Sequence, residues 1–501
     1  MLSVKKILLN LLVVFFISVN QFAQTFNPEF TFGPDMNVAR MGHYTVQLEN
    51  QSILLIGGRG TSFVSLDNSE MLTFNPDTFT YQSMNFYHDF AAVAQMQDGC
   101  ILIAGGSSNG GGAPGYNNAE IYNPTNGSYS ATGSLNYPRM MTSTAILSDG
   151  KVLLVGGWYD PTSAAYPELY NPIDSTFILT GALNTPRAQP IVIPTIDGGA
   201  MIIGGVPVYG GTEIKQIEYY DPNTNSFSIL QDYLFDSSDP DWLPFAQTNY
   251  NRPLYTQQTN DGNYILIAYQ QISGNYYFTL FSVNPTLKTI SKLIPESELP
   301  NYSTHFLAAP IVDKNKNVVY IPSTKTGADP VQMDLFAFDM VDSTVLSPDS
   351  TFTFPSAYYL SSAAFCLLDD GRILMSGGHS QTGYYTNFSP INKTLFITPN
   401  FIPTHVDSEI EPISDYKLNF SNYPNPFNNS TTFRFELNKA EVVELDVINI
   451  QGELVAQIFK RDFSTGTHNY YWNTNSLASG IYFSRLKTST EVQFRKIVLL
   501  K

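Results

Sequence analysis

Positive charge is scarce in this sequence. Its 501 residues include 26 Lys and Arg against 43 Asp and Glu, and only 14% of all residues are charged. Sequence-independent nucleic-acid binding requires a basic surface that neutralises phosphates, so the net charge of −17 argues against that class of function. The net negative charge also argues against a polybasic membrane anchor, because an acidic surface chiefly keeps a protein in solution.

Cysteine is also rare, with two residues far apart in the chain, Cys100 and Cys366. Each lies in an apolar, strand-like run, and cysteine is among the residues most often buried. We therefore expect two buried free thiols. Export to an oxidising compartment would permit a disulfide between them, which is the alternative.

Long apolar runs are lacking after the first 24 residues. The N-terminus has two lysines, then an apolar stretch from Ile7 to about Val19 that is too short to cross a bilayer comfortably, then polar residues. This order predicts a secretory signal peptide at residues 1–24, cleaved near Ala23 and Gln24. We expect the mature chain to be exported and soluble, with no transmembrane segment.

Aromatic residues, glycine and proline are plentiful, and this composition is typical of strands and tight turns. It predicts an all-β protein. A repeated pattern agrees: an apolar run, in most copies an Asp-Gly turn, a second apolar run and a glycine pair. The copies with a glycine pair are TVQLENQSILLIGG (45–58), AVAQMQDGCILIAGG (92–106), AILSDGKVLLVGG (145–157), IVIPTIDGGAMIIGG (191–205) and AAFCLLDDGRILMSGG (363–378).

Two degraded copies, at 259–271 and 312–323, precede the last of these. A third strand follows each copy, in several cases ending at an Asx-Pro turn as in AEIYNP (119–124), and a fourth short strand comes next. Seven units of about 50 residues with four strands each predict a seven-bladed β-propeller over residues 25–403. The glycine pairs are then structural, because a phosphate loop would need a following helix with Lys-Ser/Thr.

Blade seven ends one strand short near TLFITP (394–399). The segment FTF (30–32) has the pattern of the missing outer strand. We therefore expect an N-terminal strand to complete the last blade, which would leave no open sheet edge where the ring closes.

The doubled glycine after the second strand of five units resembles that of kelch-repeat propellers, and residues 119–157 are similar to the bacterial kelch repeats related to the galactose oxidase propeller. The resemblance implies a kelch-type propeller from about residue 30 to 400. Related copper-radical oxidases use His and Tyr ligands together with a cysteine joined to a tyrosine. His43 and His379 belong to adjacent blades, but neither cysteine lies in such a motif, so no cofactor is predicted.

A basic residue precedes the glycine pair by 17 positions in most units. Because the first strand of a blade lines the central channel, these residues predict a partial basic ring at one channel mouth that binds a carboxylate, a uronic sugar or an acidic peptide. The resemblance agrees, since kelch proteins that bind peptides use arginines near this position. The alternative is that each side chain bridges neighbouring blades through carbonyls or carboxylates. The candidates are Arg40, His88, Arg139, Arg187, His305 and, one residue out of register, Arg252.

The connections after the glycine pairs are rich in aromatic residues. Trp158, Tyr159 and Tyr209 are candidates for stacking on sugar rings, and packing against neighbouring loops is the alternative. An acidic insertion, DYLFDSSDPDW (232–242), contains three candidate ligands for Ca²⁺ without the spacing of an EF-hand. These ligands are Asp236, Asp239 and Asp241.

The sequence changes character after about Thr404. Strand alternation stops and acidic residues increase, which predicts a linker at 404–416; alternating apolar residues and turn residues then predict a small Ig-like β-sandwich at 417–501. The motifs of this segment resemble the C-terminal sorting domain of proteins exported by the type IX secretion system of Bacteroidota. An ordinary Ig-like adhesion module is the alternative. The motif residues are Pro424, Asn425, Pro426, Gly452, Gly480, Tyr482 and Lys496.

These observations together predict an exported, non-catalytic propeller that binds a glycan or a protein at the cell surface, with the type IX machinery as its partner during export. The resemblance to oxidases keeps a carbohydrate-active enzyme on the same scaffold as the alternative: an oxidase, a lyase or an epimerase. A structural part of a larger surface assembly is the third possibility.

Overall fold

The computed structural model divides the chain into two compact units, Met1–His405 and Val406–Lys501. The residues it describes are 26–107, 115–158, 160–208, 214–232, 243–244, 258–272, 275–294, 305–307, 309–325, 332–354, 358–381, 388–401, 420–423, 425, 427–437, 439–449, 454–474, 477–488 and 492–499. The predicted signal peptide lies outside them, and so do the calcium candidates Asp236, Asp239 and Asp241.

The first unit is a seven-bladed β-propeller built from antiparallel sheets. Its first described strand is β1 (Glu29–Phe32). Blades one to four each contain four strands in sequence order. Their strands are β2 (Tyr44–Gln47), β3 (Ile53–Ile56), β4 (Asn68–Thr73) and β5 (Thr78–Ser83); β6 (Ala92–Gln95), β7 (Ile101–Ala104), β8 (Ala119–Asn123) and β9 (Ser128–Ala131); β10 (Ser143–Ile146), β11 (Val152–Val155), β12 (Glu168–Asn171) and β13 (Thr176–Leu179); β14 (Ile191–Pro194), β15 (Ala200–Ile203), β16 (Ile217–Asp221) and β17 (Ser226–Gln231).

Blade five also has four strands in sequence order, whereas blades six and seven contain additional short strands. Two short helices, a 3₁₀ turn at Thr61–Phe63 and α1 at Pro161–Ala165, lie in connections of blades one and three. The strands of the last three blades are β18 (Leu243–Pro244), β19 (Tyr264–Ile272), β20 (Asn275–Asn284) and β21 (Thr289–Lys292); β22 (His305–Leu307), β23 (Ile311–Asp313), β24 (Val318–Lys325), β25 (Gln332–Asp339), β26 (Thr344–Leu346) and β27 (Phe352–Thr353); β28 (Tyr358–Leu367), β29 (Ile373–Gln381), β30 (Phe388–Pro390) and β31 (Thr394–Thr398).

The second strand of a blade is apolar throughout because neighbouring blades cover both of its faces. In β3, β7, β11 and β15 every residue is buried, as expected for a short continuous apolar run. The hydrophobic core is therefore divided into layers between blades: one cluster joins Val46 and Ile56 of blade one to Val93 and Ile103 of blade two. The outer strands, by contrast, are mostly exposed.

The Asp-Gly turns between first and second strands form as predicted. Gly99 and Gly150 have φ of 83° and 84°, a left-handed conformation that glycine adopts without a steric penalty. The preceding aspartate accepts a hydrogen bond from the backbone N–H two residues later, Asp98 from Cys100 and Asp149 from Lys151. This Asx turn reverses the chain within five residues.

The ring closes through the predicted N-terminal strand, which completes the last blade. The N-terminal strand β1 pairs antiparallel with β31, with Phe30 opposite Ile397, so it forms the outer strand of blade seven. The chain just before it is anchored as well, because Phe26 is fully buried and stacks on Tyr320 of blade six at 6.3 Å between ring centroids. The expectation of an N-terminal closing strand is confirmed.

The second unit is a β-sandwich of two antiparallel sheets. One sheet has the order β32 (Phe420–Tyr423), β33 (Ser430–Leu437), β36 (Gly466–Asn473), and the other has the order β35 (Leu454–Phe463), β34 (Glu441–Ile448), β37 (Gly480–Lys487), β38 (Val492–Leu499). Its core includes Phe433, Leu445 and Ile497, each at most 3% exposed. No helix in the described part of the chain is long and apolar enough to cross a membrane.

Candidate functional site

The two ends of the propeller differ in the length of their connections. Among the described strands, the first strands of neighbouring blades contact each other, as β6 does β10, so they are innermost. The turns at one end are short, four residues at 74–77 and five at 96–100. At the other end, the second and third strands of blades one to four are joined by 11 to 14 residues, as at 105–118. We call this end the long-connection face.

Four of the predicted ring residues have their side chains inside the blades rather than at this face. Arg40, Arg139 and Arg187 are 0% exposed and His88 is 1% exposed. Each donates to the carbonyl of the glycine 17 residues later, and each is paired with a buried glutamate of the third strand. The pairs are Arg40 with Gly57 and Glu70, His88 with Gly105 and Glu120, Arg139 with Gly156 and Glu168, and Arg187 with Gly204 and Glu218.

The backbones of the same four residues bond to the preceding blade. The carbonyl of Arg139 accepts from Gly106 N at 2.9 Å, and its N–H donates to Tyr116 O, both in blade two. Its side chain meanwhile binds blade three. Arg40, His88 and Arg187 repeat this arrangement at their own seams through Gly378, Gly58 and Gly157. Each residue is therefore a clasp between consecutive blades.

The glutamate of each clasp accepts several hydrogen bonds at once. Glu168 accepts from Arg139 Nη2 at 2.7 Å, from Asn136 through both its backbone N–H and its side chain at 2.8 Å, and from Tyr137 N at 3.3 Å. Glu70, Glu120 and Glu218 do the same in their blades. Buried charges persist only when they are paired and hydrogen-bonded in this way.

The electrostatics of the clasps agree with a structural role. Burial lowers the pKa of the guanidinium groups of Arg40, Arg139 and Arg187, and the paired glutamates act in the opposite direction. Burial acts to raise the pKa of Glu120, but hydrogen bonds from His88 and Asn85 outweigh it, so that pKa is lowered. The buried polar groups of each pair are thus hydrogen-bonded to each other inside the propeller.

The expectation of a ligand-accessible basic ring is therefore corrected at Arg40, His88, Arg139 and Arg187, which carry out the alternative role of bridging blades. Arg252 lies outside the described residues, and His305 is described only through the backbone of β22. The glutamates were missed, although a signal exists: Glu recurs three residues before the Asx-Pro turn in AEIYNP, PELYNP and IEYYDP.

A second set of equivalent residues surrounds the inner end of the long-connection face. The residue 15 positions before the first glycine has a left-handed backbone in five blades, although only one of the five is glycine. These residues also bond from blade to blade: Gln189 N donates to Met141 O at 3.0 Å and Met141 N to Phe90 O at 2.9 Å. The set comprises Gly42, Phe90, Met141, Gln189 and Ser362, with φ of 60°, 59°, 57°, 50° and 74°.

Of the loop aromatics, Trp158 lies in the described part of the chain, and Tyr159 and Tyr209 lie outside it. Trp158 is partly exposed and packs, together with Met141, against the buried side chains of Ala188 and Val206. Its backbone N–H donates to Met140 O at 3.1 Å. The two predicted alternatives, stacking on a ligand and packing on neighbours, are compatible in this position.

The thiol and histidine groups do not form a copper-radical centre within the described residues. Both cysteines are free thiols, as expected, but both are half-buried, so the expectation that they are buried is wrong. His43 Nε2 is hydrogen-bonded to Ser376 Oγ at 2.8 Å across the seam between blades seven and one. Across the described residues, no three His, Cys, Asp or Glu side chains converge to hold a metal ion. The described His, Cys, Asp and Glu residues therefore do not assemble such a centre.

In the C-terminal sandwich, one described motif residue, Asn425, bonds the start of the sandwich to its last strand. Asn425 Oδ1 accepts from Val498 N at 2.9 Å, and Phe427 N donates to Val498 O, so these two residues are bonded to the last strand. Gly480 begins β37, and Tyr482 Oη donates to Ala478 O at 3.0 Å. Lys496 lies in β38 opposite Phe483, whereas Pro424, Pro426 and Gly452 lie outside the described residues.

Comparison with protein families gives a match for this unit. The family described as "Secretion system C-terminal sorting domain" matches residues 421–500. The C-terminal sandwich is a secretion sorting domain. The sorting domain directs export by type IX secretion to the cell surface or the medium, so the secretion machinery is a partner of this chain during export.

Comparison with whole proteins and solved structures gives a likeness in fold. No curated protein matches the chain. A solved structure of a fungal alcohol oxidase of the AA5 family, in complex with copper, is similar with a TM-score of 0.56 and 14% identity, over 94% of this chain and 99% of that one. At this identity the similarity shows the fold alone.

Proposed function

We propose that the exported propeller is a kelch-type binding protein that holds a glycan or a protein ligand on its long-connection face. The observation that supports this most directly is that the connections between strands are longer at one end of the propeller than at the other. In blades one to four, strand alternation brings the two longest connections, between strands two and three and between blades, to the same end. Binding residues are disproportionately found in loops that a rigid scaffold positions.

The clasps contribute to this function indirectly. Each joins two blades through buried charge and backbone bonds, so the loops above it start from fixed positions. A preordered surface loses less conformational entropy on binding than a mobile one. The proposed division of the chain follows: 1–24 signal peptide, 25–403 ligand-binding propeller, 404–416 linker and 417–501 sorting domain.

A glycan array with the purified protein tests this proposal, run with and without EDTA. Binding to a defined set of glycans that EDTA leaves unchanged supports a binding protein without Ca²⁺. Loss of binding in EDTA would assign the ligand contact to the acidic insertion at 232–242. A protein that binds no glycan on the array and captures no purified surface protein would refute the proposal.

The alternative is a carbohydrate-active enzyme on the same scaffold, and the likeness to the copper-bound alcohol oxidase favours it. Incubation with Cu²⁺ followed by dialysis and metal analysis separates the two proposals. One retained equivalent of copper together with peroxide release from a sugar alcohol or alcohol would establish the enzyme. No retained copper would leave the binding protein as the better explanation.

A further inference from the structure

Four side chains of blades three and four form a small apolar patch at the inner end of the long-connection face. Ala188 and Val206 are buried at its base, and Met141 and Trp158 lie against them and remain partly exposed. We call these four residues the inner patch. Met141 and Ala188 follow the clasp arginines, whereas Trp158 and Val206 directly follow glycine pairs.

The backbone beneath the inner patch is fixed by hydrogen bonds between blades and within them. Ala188 and Val206 exchange two backbone bonds of 2.9 Å, and Trp158 N donates to Met140 O. Met141 keeps a left-handed backbone that its side chain disfavours, with φ of 57°. The equivalent residues of four other blades have the same conformation, so the propeller framework holds Met141 in this position.

The charge of the propeller restricts which ligand this patch can take. Residues 25–403 contain 14 Lys and Arg against 32 Asp and Glu. Three of those arginines are paired with buried glutamates in the clasps, and Arg59 Nη2 lies 2.7 Å from Asp89 Oδ2. An anionic ligand would be repelled by this surface, and like-charge juxtaposition is costly. This reverses the expectation of a uronic sugar or an acidic peptide.

We propose that the inner patch binds a pyranose ring of an uncharged glycan. The apolar face of the ring stacks on the indole of Trp158, and the flexible thioether of Met141 packs against its edge. A sugar fits better than an extended peptide because the patch presents one partly exposed aromatic ring between buried neighbours. This inference rests on the proposed binding function and assigns its ligand class and contact residues.

Titration calorimetry with cellohexaose, laminarihexaose and chitohexaose tests the inference, with polygalacturonate as the anionic probe. We expect at least one uncharged hexasaccharide to bind and polygalacturonate not to bind. Trp158→Ala should weaken the binding about tenfold or more, equivalent to about 1.4 kcal/mol. Trp158→Phe, which retains an aromatic face, should stay within about threefold of the wild type.

Two further variants separate loss of contact from loss of structure. Met141→Gly removes the side chain at a backbone position that suits glycine, so we expect weaker binding with an unchanged unfolding temperature. Tyr81→Ala, on the outer strand of blade one and 48% exposed, is the control and should bind as the wild type does. Binding that Trp158→Ala leaves intact would overturn the inference alone.

The remaining outcomes are equally decisive. Polygalacturonate binding as tightly as the neutral sugars would overturn the choice of an uncharged glycan. If the wild type binds peptides but none of the hexasaccharides, the inference fails while the proposed binding function stands. If it binds neither, the inference fails, and the proposed function fails as well when the glycan array and the surface-protein capture are also negative.

Discussion

Arg139 and Glu168 form a fully buried ion pair, with Arg139 Nη2 2.7 Å from Glu168 Oε1 and neither side chain exposed. Removing one partner would leave an uncompensated charge in the interior, which costs about 3–5 kcal/mol. We therefore expect Arg139→Ala to destabilise the propeller by that amount in urea unfolding. The exposed pair Lys151 and Asp149 gives the control, since Lys151→Ala should change stability by less than about 1 kcal/mol. An Arg139→Ala protein of normal stability that had lost ligand binding would restore the basic-ring hypothesis.

Gly57 illustrates how closely consecutive blades approach. A Cβ added there would lie 2.2 Å from His88 O, and its φ is 56°. Gly57→Ala should therefore destabilise the protein by more than about 2 kcal/mol, combining a steric clash with a disfavoured backbone. Gly99→Ala is the matched control, because Gly99 has φ of 83° but no atom within 4 Å of the added Cβ. We expect it to cost about 1–2 kcal/mol, and equal losses in the two variants would contradict the close packing at the seam.

The N-terminal segment should be essential for a stable ring. Phe26 is fully buried, stacks on Tyr320 and meets Phe401 edge-on at 6.3 Å. Phe26→Ala should cost about 3–5 kcal/mol, as truncations of buried phenylalanine do. Deletion of residues 25–36, which removes β1 as well, should prevent cooperative thermal unfolding. A deletion variant with the unfolding temperature of the wild type would show that the closing strand is dispensable.

His43 makes stability depend on pH. Burial lowers the pKa of its imidazole well below the usual value, and the charge of Arg40 acts in the same direction. In the unfolded state the His43 imidazole therefore takes up a proton near pH 6.5, whereas in the folded state it stays neutral at that pH. The free energy of unfolding should fall as the pH decreases from about 7 to 5, by up to about 1.4 kcal/mol per pH unit. His43→Gln should show a smaller fall over that interval, and identical slopes would exclude His43 as the cause.

The two thiols should differ in reactivity. Burial raises the pKa of Cys366 to about 12, with Asp369 adding to the shift. The pKa of Cys100 is also raised, by burial and by Asp98, and both side chains are partly exposed. With a disulfide-exchange reagent at pH 8 we expect slow reaction of Cys100 and none of Cys366, because the thiolate is the reactive form. In denaturant both thiols should react; no reaction there would reveal a disulfide.

Much of the fold follows from local sequence. Apolar runs ending in glycine pairs, Asp-Gly turns and Asx-Pro turns each act within a few residues, so their repetition predicted seven blades and an all-β chain. The outer strand at 30–32 was also predictable, because one blade lacked a strand and the segment had the strand pattern. The sorting domain was identified from motifs that remain close together in sequence.

The roles of the repeated basic residues were decided by tertiary structure. Sequence spacing places Arg139 near a blade end, but it does not show whether the side chain points to the channel or into the blade. The direction of the Arg139 side chain depends on Glu168, 29 residues later, and on a glycine carbonyl 17 residues later. Burial of the arginine requires both partners at once, since an unpaired buried charge is too costly. Only the folded blade brings them together, and for the same reason only it assembles the inner patch from four separate segments.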